Sequence, residues 1–163
     1  MWGKINMETK KVYLIEDDWN ESIICKTKES WLESLRYNLD VCIEYEDCTE
    51  EETNELYEEM KNGAVDSDWV NGWWYSLSNV DVFYEDENVM LVSHYHQSGN
   101  REVVSAYYFD GKDMYNTDMN DGDCVTPYEE DEELLEILKK IIKKENVDYQ
   151  AIIKDLRNYC SEE

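Results

Sequence analysis

His94 and His96 are the only histidines in the chain, and on a strand they would share one face. With a neighbouring cysteine or aspartate such a pair can ligate a metal. No third ligand stands at a recognisable spacing, so packing or hydrogen bonding is expected and a metal is not. Asp118, Asn120, Asp121 and Asp123 have the composition of a calcium loop. An EF-hand needs oxygen ligands at positions 1, 3 and 5 and glycine at 6, and placing Gly122 there puts Thr117 and Met119 at positions 1 and 3. Asp110-Gly111-Lys112 has the acid-x-Lys form that ends some metal-dependent nuclease sites, but a hairpin turn explains it better. A nuclease of net charge −25 would also work against its own substrate. Cys25, Cys42, Cys48, Cys124 and Cys160 are odd in number and contain no C-x-x-C pair, which excludes a zinc ribbon and leaves reduced, mostly buried thiols. There is no phosphate-binding glycine loop and no G-x-S-x-G elbow. The expectation is a protein without enzymatic activity and without a cofactor.

Carboxylates are what the chain does offer. Glu44–Glu59, EYEDCTEEETNELYEE, holds nine acids and no Lys or Arg. Between Tyr37 and Leu138 there are 28 Asp and Glu against Lys61, Arg101 and Lys112, while the two flanks carry twelve of each sign and cancel. Charge that served only solubility would be spread evenly. Confined to one block, it describes a surface.

The elements that must position these acids follow from periodicity. Lys11–Glu16 and Ser22–Thr27 are expected to pair as strands. A helix follows from Ser30, with Glu33 at capping-box spacing and Trp31, Leu32, Leu35 and Leu39 on one face. Alternation over Val41–Tyr45 predicts a third strand. Thr49 with Glu52 opens a second helix that Gly63 ends, with Leu56 and Met60 inward and Glu51, Glu55, Glu58 and Glu59 opposite. Ala64–Leu77, with Trp69, Trp73 and Trp74, is expected to be irregular or a short helix. Val80–Tyr84, Val89–Tyr95, Glu102–Phe109 and a short strand to Tyr115 predict an antiparallel meander with turns at 85–88, 97–100 and 110–111. Asn116–Pro127 is a loop. Two C-terminal helices span 129–160: Leu134, Leu135, Leu138, Ile141 and Ile142 stripe the first, and Asp148 caps the second with Val147 stapled onto Ile152. The fold class is α+β: one domain over 1–163, arranged β-β-α-β-α, then meander, then two helices.

A length of 163 residues suits one domain, and 13% aromatic content argues for a folded chain despite its charge. No apolar run reaches the roughly 20 residues of a membrane span and no signal peptide is evident, so a cytoplasmic protein is expected. The charge opposes direct binding to nucleic acid or anionic lipid.

In size and in the acidic block from Tyr37 to Leu138, the chain resembles small phage and mobile-element proteins made against host defences, the antirestriction DNA mimics and anti-CRISPR proteins among them. That resemblance implies inhibition of a nucleic-acid-binding effector such as a CRISPR nuclease, at the arginines that read DNA. From the residues themselves, the expected partner is a basic nucleic-acid-binding protein. The expected contact set is Glu44, Glu46, Asp47, Glu50, Glu51, Glu52, Glu55, Glu58, Glu59, Asp118, Asp121, Asp123, Glu129, Glu130, Asp131, Glu132 and Glu133, with Trp69 and Trp73 as aromatic anchors. An immunity protein against a basic nuclease toxin and an accessory phage protein are the alternatives.

Overall fold

Along the first strand, β1 (Glu8–Glu16), both faces are buried: Val12 and Leu14 on one side, Ile15 with half-buried Tyr13 on the other. Such a strand needs cover on both faces, and the computed structural model, which describes residues 8–17, 21–96, 101–116 and 131–161, shows how it is obtained. The remaining elements are β2 (Ser22–Cys25), α1 (Lys28–Glu44), α2 (Glu50–Asn62), β3 (Ser67–Val70), β4 (Trp73–Glu85), β5 (Val89–His96), β6 (Arg101–Phe109), β7 (Asp113–Asn116), α3 (Asp131–Ile141) and α4 (Tyr149–Ser161).

The strands β4 to β7 do run as consecutive antiparallel neighbours, but the expected open meander closes on itself. β7 pairs with β2, β2 with β1, and β1 returns to β4 along its whole length, Glu8 opposite Val82 through Glu16 opposite Trp74. The result is a closed six-stranded antiparallel barrel, with β3 added to β4 as a seventh strand. One buried cluster draws on all six barrel strands: Val12 and Leu14, Ile24, Val80 and Val82, Met90 and Val92, Tyr107, and Met114. Those are the inward positions of a filled barrel. At the end where β1 finishes the interior turns polar, with Glu16, Ser22 and Ser76 buried and the Tyr107 hydroxyl donating to Ser22 Oγ at 2.7 Å.

Two helical pairs cover the outside. α3, Ile142 just after it and α4 lay Leu134, Leu138, Ile142, Ile153 and Leu156 on Phe83, Leu91 and Ala106. Both Phe83 and Tyr84 reach that side because the β4–β5 register slips between Val82 and Tyr84. The staple expected between Val147 and Ile152 is in this core, and Asp148 Oδ1 accepts from Ala151 N–H. α1 and α2 cover the opposite side, where Trp31, Leu35, Leu39 and Met60 pack on Ile15, Cys25, Val70 and Tyr75.

Three local expectations are corrected. The first helix begins at Lys28, capped by Thr27, whose side chain accepts from Ser30 N–H. Ser30 instead turns inward to the carboxylate of Asp113. Val41–Tyr45 is not a strand: α1 runs on through Glu44, since Cys42 and Ile43 continue the half-buried side set by Leu35 and Leu39. Trp69–Tyr75 is a β3–β4 hairpin, turned by Asn71 (φ 52°) and Gly72 (φ 83°). Positive φ at both central residues is the type I′ geometry for which Asn-Gly is suited. No helix among the described residues is long and apolar enough to cross a membrane.

Candidate protein-binding surface

The geometry of the acidic helix starts at Thr49. Its side chain accepts from Glu52 N–H at 3.1 Å while Glu52 Oε1 accepts from Thr49 N–H at 3.1 Å, a reciprocal capping box. The Thr49 N–H, and after it the Thr49 hydroxyl donating to the same Oε1 at 2.9 Å, hold the Glu52 carboxyl below the usual carboxylate range. Thr53 and Met60 are buried and Leu56 and Tyr57 half-buried, so Glu50, Glu51, Glu52, Glu55 and Glu58 are left exposed. Glu59 departs from expectation: it lies half-buried at the flank, its carbonyl accepting from Ala64 and Val65. Arg36 fastens the helix to α1, donating to Asn54 Oδ1 at 3.0 Å and lying over the Tyr57 ring at 5.3 Å.

The same surface continues into the corner between the two helices. α1 ends with Glu46 N–H bonded to the Ile43 carbonyl and Asp47 N–H to that of Cys42, at 3.0 and 2.9 Å. This is a Schellman closure, whose left-handed residue is ordinarily glycine. Here it is Glu46, at φ 60°. Glu44, Tyr45, Glu46 and Asp47 are all exposed.

Ion pairs lie elsewhere. Lys10 meets Glu85, Arg36 meets Asp40, Lys112 meets Glu33, Lys139 meets Glu136, and Lys144 meets Asp86 and Glu87. Among the described residues, no Lys or Arg pairs with a carboxylate between Glu44 and Glu59. An acidic helix face without i+4 partners repels itself by a few tenths of a kcal/mol per close pair.

The aromatic expectation divides. Trp69 is 41% exposed and leans on Trp74 at a centroid distance of 5.3 Å, while Trp73 packs into the α1–α2 core. Two rings the sequence reading passed over are far more accessible: Tyr37 on α1 at 68% and Tyr45 at the corner at 71%. Helical spacing contains the signal for Tyr37, which falls two residues from both Leu35 and Leu39 and so away from the face they bury.

Of the remaining expected contacts, Glu132 is exposed near the start of α3, and Asp131 and Glu133 belong to the same helix. Asp118, Asp121, Asp123, Glu129 and Glu130 lie outside the described residues. Asp110-Gly111-Lys112 is the β6–β7 turn: Asp110 Oδ1 accepts from Lys112 and Asp113 N–H, and Gly111 has φ 109°. His94 and His96 sit in β5 opposite Val103 and Arg101. Among the described residues no three His, Cys, Asp or Glu side chains are grouped to hold a metal ion. The Cys25 thiol is pushed up to about 12 by burial and then by the Asp113 carboxylate, which leaves it a protonated core group. Comparison with known proteins finds no matching family model, no matching curated protein and no matching solved structure.

Proposed function

We propose that this protein is a non-enzymatic inhibitor of the anti-CRISPR or DNA-mimic kind, whose α1–α2 surface occupies the basic nucleic-acid site of a host effector nuclease. One observation carries the reading: exposed carboxylates run from Glu44 to Glu58 with no cationic partner among the described residues. Along α2 alone, Glu50, Glu51, Glu52, Glu55 and Glu58 present one charge per about 2.5–3 Å of helix axis at the usual rise per residue. Duplex DNA presents one per about 1.7 Å counting both strands, and one per about 3.4 Å on each. A groove of Lys and Arg built for the second spacing meets a similar density in the first. Tyr45, exposed between Glu44 and Glu46, supplies the aromatic contact that interface centres favour.

The test is charge reversal on the exposed face only. Glu51→Lys, Glu55→Lys and Glu58→Lys together leave α2 folded, because none of the three is buried or capped. Glu59 is best left alone for the opposite reason. Captured on the wild-type protein at low salt, the partner is a nucleic-acid enzyme that added duplex DNA displaces, and the triple variant binds it at least about tenfold more weakly, since each desolvated charge pair can carry more than 1 kcal/mol. Unchanged affinity in the triple variant overturns the placement of the site. A partner that resists DNA competition overturns mimicry and favours immunity against a toxin.

A further inference from the structure

The corner that displays Glu44–Asp47 is bracketed by two thiols. Cys42 is the residue whose carbonyl closes the Schellman turn with Asp47 N–H at 2.9 Å, and Cys48 follows immediately, one residue before the Thr49 cap of α2. Both are free and half-buried, and the Cys48 thiol is pushed up first by desolvation and then by Cys42 across the turn. Backbone bonds on either side, the Schellman pair before and the capping box after, hold the two positions in register.

We infer that Cys42 and Cys48 form a reversible intramolecular disulfide by exchange with small cationic disulfides. One protein thiolate attacks an external disulfide, giving a mixed disulfide and expelling one small thiolate, which takes up a proton. The second protein thiolate then attacks the protein sulfur of that adduct and expels the other small thiol. Two protein S–H bonds and one external S–S bond become one protein S–S bond and two external S–H bonds. The protein loses two electrons and the external disulfide gains them.

The selectivity comes from the surrounding charge. Asp47 and Glu52 lie close enough to raise the Cys48 thiol, after its own desolvation and the neighbouring Cys42, and Glu44 and Glu46 are exposed on the same corner. An anionic reagent is repelled from this field and a cationic one is concentrated in it, an effect that spans about 10- to 1,000-fold in rate for charged clefts. Oxidation by dicationic cystamine is therefore expected to run at least about tenfold faster than by anionic glutathione disulfide, relative to their rates with a small uncharged thiol. The advantage shrinks in high salt.

The experiment uses the full chain carrying Cys124→Ser and Cys160→Ser, treated with cystamine or glutathione disulfide and read by intact-mass and peptide-mapping mass spectrometry. The expected product is monomeric, lighter by two hydrogens, linked Cys42 to Cys48, restored by dithiothreitol, and formed at a rate independent of protein concentration. Cys42→Ser or Cys42→Ala should stop at a stable cysteamine adduct on Cys48. Persistent mixed disulfides on the parent chain, covalent dimers, or the same loss of two hydrogens in the Cys42 variants would overturn the assignment. Equal relative rates for the two reagents would overturn its charge selectivity.

Discussion

A glutamate in the left-handed position that ends α1 costs the fold about 1 kcal/mol relative to glycine, because its Cβ crowds the following carbonyl. Glu46 accepts that cost at the point where its carboxylate extends the acidic surface of α2 into the corner. Glu46→Gly relieves the strain and adds some freedom to the unfolded chain, so a net stabilisation of about 0.5–1 kcal/mol is expected. The same change removes a charge from the proposed contact. Urea denaturation should show a higher midpoint while partner affinity falls, and that opposition separates a residue kept for binding from one kept for folding. A variant that loses stability would mean that the Glu46 side chain supports the corner through a contact of its own. One that gains stability and binds as before would remove Glu46 from the interface.

Elements hold these residues in place, and the β4–β5 turn shows the clearest electrostatic case. Asp86 is opposed by desolvation, yet the Tyr84 hydroxyl, the Asn88 and Val89 N–H groups and Lys144 together outweigh that and hold its carboxyl below the usual aspartate range. The bonds are short, 2.7 Å from Tyr84, 2.7 Å from Asn88 and 2.9 Å from Val89, and Lys144 ties the turn to the segment after α3. A carboxyl depressed on folding contributes stability that is complete above its ordinary pKa and is lost as the pH falls through its folded value. Asp86→Asn should therefore cost about 1–2 kcal/mol at neutral pH. The wild-type and variant stability curves should converge as the pH drops below 3.8, the ordinary value. Parallel curves down to acid pH would show that shape rather than charge matters at this turn. Signals of this local kind were largely readable beforehand: the Thr49–Glu52 capping box, Gly63, the Asp110-Gly111 turn and the Leu134–Ile142 stripe all stand where the spacing put them. Val41–Tyr45 misled because five alternating residues fit a strand and the last turn of a helix equally well, and because Glu46 hid a helix end that glycine would have announced. Asn71-Gly72 was a legible hairpin signal overshadowed by the tryptophans around it. Barrel closure could not be read at all. The pairing of β1 with β4 joins residues more than fifty positions apart, and no local pattern encodes it.

At the scale of the molecule, the closed barrel and its two helical covers make a packed base on which charge is unevenly distributed. The net −25 is held against self-repulsion by burial rather than by ion pairing, since the described ion pairs leave the Glu44–Glu59 surface uncompensated. Salt shortens the reach of charge from about 10 Å at 0.1 M to about 3 Å at 1 M. Screening should then move two properties in opposite directions. Stability rises with sodium chloride, because like charges along α2 and the corner no longer oppose the compact state. Affinity for a basic partner falls over the same range, because the attraction is screened as well. Measuring the melting temperature and the dissociation constant across one salt series distinguishes this from a surface that is merely well solvated, for which stability would still rise but binding would be indifferent to salt. A melting temperature that falls with salt would contradict the picture at its base, since the pairs at Lys10, Lys112 and Lys144 would then outweigh the repulsion among the unpaired acids.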